Sequence, residues 1–318
     1  MKKVLITRPL PDVVVAEARK YFDVTVRSET SPLSKSEMRT ALGAFDGIMP
    51  TLGDMFQPAV FDSLSESKCT ILANFGVGYN HIDVDAALQR GVTVSNTPGA
   101  VTDATADIAM TLMLMSARRA GEGERLVRSG KWEGWHPTQM LGLHLSGKTV
   151  GIVGMGRIGQ AIAQRCHYGF GMKVGYVSRS PKTLPFEAAA FGSLIELSSA
   201  VDVLVLAVPG GAETHHLVNA DVLNAMQPHS HLVNISRGNV VDEAALIAAL
   251  QADQIGGAGL DVYEFEPTVP QALRDLENVV LLPHLGTAAL EVRAEMGLMA
   301  VANLKAHLVD GILAPNKV

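Results

Sequence analysis

Three short stretches in the second half of the chain each place an ionisable side chain just after an apolar run. "NISRGNVVDEAAL" holds Arg237 between Ser236 and Gly238, "GLDVYEFEP" holds Asp261, Glu264 and Glu266, and "LLPHLGTAA" holds His284. An imidazole can protonate a carbonyl oxygen, and a carboxylate beside it can orient the ring and compensate its charge. A guanidinium can clamp a carboxylate and polarise the neighbouring carbonyl. That set suits delivery of hydride to the carbonyl carbon of a 2-oxo acid, with His284 as the acid, Glu266 as its carboxylate and Arg237 as the clamp. Singly, each residue has a plainer reading, because a histidine after a strand often fills a turn and an Arg-Gly pair often caps a loop. The joint placement after a cofactor motif is what points to chemistry.

That motif is "GIVGMGRIGQAIAQR", in which Gly154, Gly156 and Gly159 form G-x-G-x-x-G directly after an apolar strand and at the start of a helical pattern. The first glycine permits a tight turn, the second lets backbone approach a pyrophosphate, and the third lets helix and strand pack closely. The same glycines could serve packing alone, but the strand before and the helix after favour a dinucleotide. The following strand, "KVGYV", should end in an acid that holds the adenosine ribose. It ends instead in Ser178, Arg179 and Ser180, with Lys182 close behind. Removing the acid removes its repulsion of a 2′-phosphate, and Arg179 can pair with that phosphate through its planar fork. The expected cofactor is NADP(H), with NAD(H) as the alternative; a solvated turn with an incidental arginine is the bland reading.

To bring such residues together the chain needs parallel strands with helices between them. Strand-length apolar runs ("KVLIT", "DVTVR", "GIMP", "TILAN", "TVSN") alternate with helical patterns through the first hundred residues, and a second series starts at "KTVGIV". This order implies α/β architecture with doubly wound parallel sheets in two modules. One long helix is expected from about Thr102 to Arg128. In "DEAALIAALQAD", Asp242 is placed to cap a helix whose buried face carries Leu246, Ile247 and Leu250.

Composition narrows the partners. The chain has 318 residues, 47% of them hydrophobic, with 30 glycines and a net charge of −6, and it shows no dense basic cluster. Nucleic acid and anionic membrane are therefore not expected. Cys69 and Cys166 are isolated, which suggests a reducing, cytoplasmic setting without disulfides or a thiolate metal site. No metal is expected: His215-His216 has no carboxylate or further histidine at helical ligand spacing and reads as surface. His81, before Ile82-Asp83, reads as a helix-start residue.

The segments "NFGVGYNHID", "NTPG", "TVGIVGMGRIGQAIA", "VPGGAETHHLVN", "NISRGNVVDEAALIAAL", "GAGLDVYEFEP" and "LLPHLG" resemble the D-isomer-specific 2-hydroxyacid dehydrogenase family along nearly the whole chain. They are most similar to its glyoxylate and hydroxypyruvate reductase branch. The resemblance implies a Rossmann dinucleotide-binding domain (99–288) inserted into a flavodoxin-like substrate domain (1–98 and 289–318), with hinges near Pro98 and Ala288. It implies Arg237, Glu266 and His284 as the catalytic three, choosing Glu266 over Glu264 because the family's acid directly precedes the proline. It also implies that N–H groups of Val77 and Gly78 receive the substrate carboxylate.

Around the cofactor the resemblance places Thr102, together with Met155, Gly156, Arg157 and Ile158 of the glycine turn. It adds Val208, Pro209 and Thr214 after the fourth strand, then Ile235, Gly286 and Asp261, of which Asp261 would face the nicotinamide amide. Thr51, Leu52 and Gly53 would shape the substrate pocket, and Trp132, Trp135 and Met140 would belong to a homodimer contact. Two departures stand out. "VPGGAETHH" replaces a Pro-x-Thr-x-x-Thr turn, so Gly210 and Gly211 predict a less defined turn, and "GTAAL" follows His284. The implied activity is NADPH-dependent reduction of glyoxylate or hydroxypyruvate to D-2-hydroxy acids. Alternatives are a dehydrogenase for larger D-2-hydroxy acids and a dinucleotide-sensing, corepressor-like binding protein.

Overall fold

A computed structural model describes residues 1–62 and 66–318. Two compact units partition the chain, Met1–Val101 with Thr287–Val318, and Thr102–Gly286. The second is thus an insertion into the first, and both are α/β with wholly parallel sheets.

In the first unit, strands β1 (Lys3–Ile6), β2 (Asp23–Val26), β3 (Gly47–Met49), β4 (Ile71–Ala73) and β5 (Thr93–Ser95) pair in the order β2-β1-β3-β4-β5. This is the flavodoxin-like order. Strands β3 and β4 are buried at every position, as strands must be when helices cover both faces of a sheet. Helices Asp12–Arg19 and Leu290–Leu308 supply one face, where Val14, Ala300 and Leu304 meet Val4 and Ile6. On the other face Leu42, Phe56 and Phe61 pack with Ile48 and Leu72. The helix Lys35–Ala44 there begins with a reciprocal Ser34–Glu37 cap, which satisfies two otherwise orphaned N–H groups.

In the second unit, strands β6 (Thr149–Val153), β7 (Lys173–Val177), β8 (Ala188–Ala190), β9 (Val203–Leu206), β10 (His231–Asn234), β11 (Gly257–Leu260) and β12 (Val279–Leu281) pair as β12-β11-β10-β9-β6-β7-β8. Within the unit this is the doubly wound order 3-2-1-4-5-6 with one further strand. Chain direction across the sheet reverses between β6 and β9, and such a switch point opens a crevice at the strand ends. Core residues lie on both faces of the sheet, Leu112, Ile152 and Val205 in one cluster and Leu197, Leu206 and Leu246 in the other. Asp242 accepts the Ala245 N–H and caps the helix Glu243–Gln251, as expected.

Two expectations about elements need correction. The long helix ends at Ala117, and a second runs from Ala120 to Arg128. The Ala117 carbonyl, which an unbroken helix would give to the Gly121 N–H, accepts Leu143 N–H at 2.7 Å instead. Arg119, at φ 52°, then re-aims the chain. Strand β8 was not expected, because its alanines have no strand preference. It forms at the sheet edge by pairing only with β7.

Candidate active site

Strands β10, β11 and β12 are neighbours in register, with Asn234 opposite Leu260 and Leu260 opposite Leu281. Their carboxyl ends are therefore level, and the turns that follow converge. After β10, Asn234 shapes the turn: its Oδ1 accepts the Ser236 N–H at 3.0 Å and its Nδ2 donates to the Arg237 carbonyl at 2.9 Å. A Cβ at Gly238 would lie 1.8 Å from the Tyr263 carbonyl carbon, so glycine lets this turn press against the Tyr263-Glu264 peptide. After β12, His284 adopts φ 55°. Three hydrogen bonds to Asp261 fix it there: the His284 N–H to its carbonyl (2.9 Å), and the Leu285 and Gly286 N–H groups to its carboxylate (2.6 and 2.8 Å).

The side chains meet. His284 Nδ1 lies 2.9 Å from Glu266 Oε2, and Glu266 Oε1 accepts the Tyr263 N–H at 3.1 Å. Burial pushes the Glu266 carboxyl upward, but the hydrogen bond from His284 and its charge, the Tyr263 N–H and the charge of Arg237 together hold it below its usual range. Burial lowers the Arg237 guanidinium, while Glu266 pulls it back. Arg237 also donates to the Ser236 carbonyl at 2.7 Å. A desolvated cation, an ionised carboxylate and an imidazole thus occupy one strand edge. The imidazole ring's other nitrogen, Nε2, is on the side away from the carboxylate, the arrangement that a proton donor to a substrate oxygen requires.

The glycine turn fits a pyrophosphate for reasons visible in the backbone. Gly154 has φ 96°, and a Cβ there would sit 2.6 Å from the Ala207 carbonyl; at Gly159 a Cβ would sit 2.1 Å from the Gly154 carbonyl. Gly156 caps the helix Arg157–Gln164, and a Cβ there would meet no protein atom. The protein itself has no packing need for glycine at 156, whereas close approach of an anion to the helix N-terminus does. Met155 is wholly buried and Ile235 nearly so, so their backbones, not their side chains, are what a cofactor could touch. Arg157 and Pro209 are exposed, and Thr102, Ile158 and Val208 half-buried.

At the end of β7, Ser178 is half-buried, and the Arg179 side chain is 88% exposed, 3.9 Å from Glu213. Ser180 accepts a hydrogen bond from Lys182 at 2.9 Å. No carboxylate replaces the expected acid on this strand.

In the first unit the loop after β4 also has a defined form. Asn74 Nδ2 donates to the carbonyls of Gly76 (3.0 Å) and Gly78 (3.1 Å), Asn96 Nδ2 donates to that of Val77 (2.9 Å), and the Thr97 N–H donates to that of Gly76 (3.1 Å). In a trans peptide, N–H points opposite to C=O. Tying back the carbonyls of Gly76 and Val77 therefore turns the N–H groups of Val77 and Gly78 the other way, side by side. Arg8, after β1, donates to Thr51 Oγ1 and the Leu52 carbonyl in the loop after β3 and pairs there with buried Asp54 at 3.6 Å. That network holds the Leu52-Gly53 turn, with Gly53 at φ 98°.

Comparison with known proteins decides the family. Residues 110–286 match the D-isomer specific 2-hydroxyacid dehydrogenase, NAD binding domain. The chain is 43% identical to a glyoxylate reductase of Thermococcus onnurineus over 308 residues, 95% of this chain and 91% of that one. It is 38% identical to a glycerate dehydrogenase of Hyphomicrobium methylovorum, covering 93% and 92%. Among solved structures, it superposes with TM-score 0.88 and 37% identity on an NADPH-dependent glyoxylate/hydroxypyruvate reductase from Sinorhizobium meliloti in complex with NADP and malonate, covering 100% and 96%. The chain belongs to the D-isomer-specific 2-hydroxyacid dehydrogenase family. Within it, the chain resembles the glyoxylate reductase branch along most of its length, and it is an oxidoreductase of 2-oxo and 2-hydroxy acids using a nicotinamide dinucleotide. No helix among the described residues is long and apolar enough to cross a membrane.

For this dehydrogenase three local expectations change. The Gly210-Gly211 turn is well defined, because Thr214 Oγ1 donates to the Pro209 carbonyl at 2.8 Å and closes it. His81 does not start a helix. It is buried, with Nε2 3.0 Å from Asn74 Oδ1, so it buttresses the Val77-Gly78 loop, and Asp83 caps the helix. The pair His215-His216 is not simple surface, because His216 Nε2 lies 2.8 Å from Glu264 Oε1. Sequence reasoning missed Asn74, Asn96, Asn234 and the pinning role of Asp261. Each is an amide or acid at or just after the end of a strand, the position from which a short polar side chain can bond the turn that follows.

Proposed function

We propose that the enzyme is an NADPH-preferring reductase that converts small 2-oxo acids, glyoxylate and hydroxypyruvate foremost, to D-2-hydroxy acids. The observation that carries the reading is the His284–Glu266 bond of 2.9 Å with the charge of Arg237 beside it. A bound nicotinamide dinucleotide supplies the hydride. The chain's own residues do the rest. Arg237 binds the substrate carboxylate and polarises its carbonyl, with the N–H groups of Val77 and Gly78 proposed as further carboxylate donors. His284 gives its Nε2 proton to the carbonyl oxygen, while Glu266, held ionised and fixed by the Tyr263 N–H, orients the ring and offsets its charge. Glycines 154, 156 and 159 with Arg157 would hold the pyrophosphate, and Thr214 the ribose next to the nicotinamide.

Preference for NADPH rests on Ser178, Arg179 and Ser180 in place of an acid. Arg179 is exposed and its Glu213 partner is equally so, a contact that water screens and a phosphate dianion can outcompete. The Sinorhizobium enzyme, bound to NADP, is consistent with that reading. A homodimer is proposed through the exposed Trp132, Trp135 and Leu141 of the second unit. The test is steady-state kinetics with NADPH and NADH against glyoxylate, hydroxypyruvate and phenylpyruvate, repeated for Arg179→Ala. The variant should lose NADPH affinity by about tenfold or more, with little change for NADH. Equal losses would make Arg179 a bystander, a preference for phenylpyruvate would move the enzyme to larger acids, and no turnover would favour a binding protein.

A further inference from the structure

On the second unit, the turn after β9 and the loop after β11 bring together side chains that lie far apart in sequence. His216 Nε2 is 2.8 Å from Glu264 Oε1, and the His215 and His216 rings stack with centroids 4.0 Å apart. One ligand atom from each of His215, His216 and Glu264 lies within 4.8 Å of the others, and no other such group of His, Cys, Asp or Glu occurs among the described residues. We propose that these three side chains form a binding site for a divalent transition-metal ion such as Zn2+. The reading goes beyond the reductase activity and does not rest on it.

The donor set is the reason. Two imidazoles and a carboxylate suit zinc, nickel, cobalt or copper, and do not suit magnesium or calcium, which prefer all-oxygen shells. Ligand atoms held about 2 Å from a tetrahedral ion lie about 3.3 Å apart. The His216–Glu264 pair already falls inside that spacing at 2.8 Å. His215 is exposed, so its ring can swing the remaining distance. Three protein ligands leave a fourth position for water.

The backbone under the site is already ordered. His216 N–H donates to the Asn239 carbonyl at 2.8 Å, and Val218 N–H donates to the Val240 carbonyl at 3.0 Å, which joins the histidine turn to the segment after β10. Glu264 Oε2 accepts the Glu243 N–H at 3.4 Å, an outer contact that orients the carboxylate. A metal there would strap the 212–216 turn to the loop that ends in Glu266.

The experiment is calorimetric titration of ZnCl2 into chelator-treated enzyme, for wild type, His215→Ala, His216→Ala, Glu264→Gln and His284→Ala. The expected result is one stoichiometric site per chain, weakened at least about tenfold by each of the first three substitutions and unchanged by His284→Ala. Zinc should raise the Tm of the wild type and not that of His215→Ala. No stoichiometric binding, or binding that survives His215→Ala at full strength, would overturn the site, as would loss of binding in His284→Ala. His215 is exposed, so its variant keeps the test valid even where His216→Ala folds poorly.

Discussion

Two glutamates separated by Phe265 in "EFEP" each hold an imidazole, and the two pairs differ in what surrounds them. Glu264 meets His216 at 2.8 Å and Glu266 meets His284 at 2.9 Å. The side chains of the first pair are 33% and 13% exposed, those of the second 31% and 32%. Pair distance and exposure therefore do not separate a proton-transfer site from its neighbour. The surroundings do. Glu266 feels the charge of Arg237 and accepts the Tyr263 N–H, while Glu264 accepts the Glu243 N–H, and burial, then the charge of Glu264, pushes the Glu243 carboxyl upward. A nearby cation suits the binding of an anionic substrate, whereas two imidazoles and a carboxylate suit a cation.

The contrast can be broken most sharply at the imidazoles. His284→Ala should lower kcat by about 10²–10⁴-fold, the weight of a general acid, and His216→Ala by far less. Equal losses in steady-state assays would erase the distinction between the pairs.

A third imidazole sharpens it from another side. His231 is buried against Ser116 Oγ at 2.7 Å, and burial, aided by the charge of His229, pulls its pKa from 6.5 to about 4. Between those values the unfolded chain binds the extra proton and the folded one does not, so stability is full above pH 6.5 and falls as pH drops toward 4. The loss should reach on the order of 3 kcal/mol, seen as a declining urea midpoint. His231→Asn should flatten that slope, and a slope that persists would assign it elsewhere.

The smallest expected effect is at the carboxylates. Glu266→Gln should cost about 10- to 100-fold in kcat, since it loses a charged hydrogen bond to the ring. Glu264→Gln should cost less, because the Glu266–Tyr263 bond remains. A larger loss in Glu264→Gln would show that the outer pair governs the inner one.

Local patterns gave a sound account of the fold. The alternation of apolar runs and helical stretches, the glycine turn and the Asp242 cap are properties of a few neighbouring residues, and the structure has them where expected. The helix break at Ala117 and strand β8 were hidden, because a distant N–H and a neighbouring strand create them. At the site, residue types and their positions after strands were legible for Arg237, Glu266 and His284. The left-handed turn at His284 was not, because it depends on Asp261, across one strand and 23 residues earlier.

The sequence by itself determined which backbone could be parallel sheet and where a phosphate could approach it, since Gly154 and Gly159 answer to sterics within their own turn. The resemblance had already joined His284 to Glu266, but only the tertiary structure put His216 against Glu264. Glu264 and Glu266 sit on one loop, and the histidines that reach them come from 48 and 18 residues away. No local spacing encodes such pairings; the carboxyl ends of parallel strands in one sheet, β11 beside β12 and β9 one strand further from β11, make them.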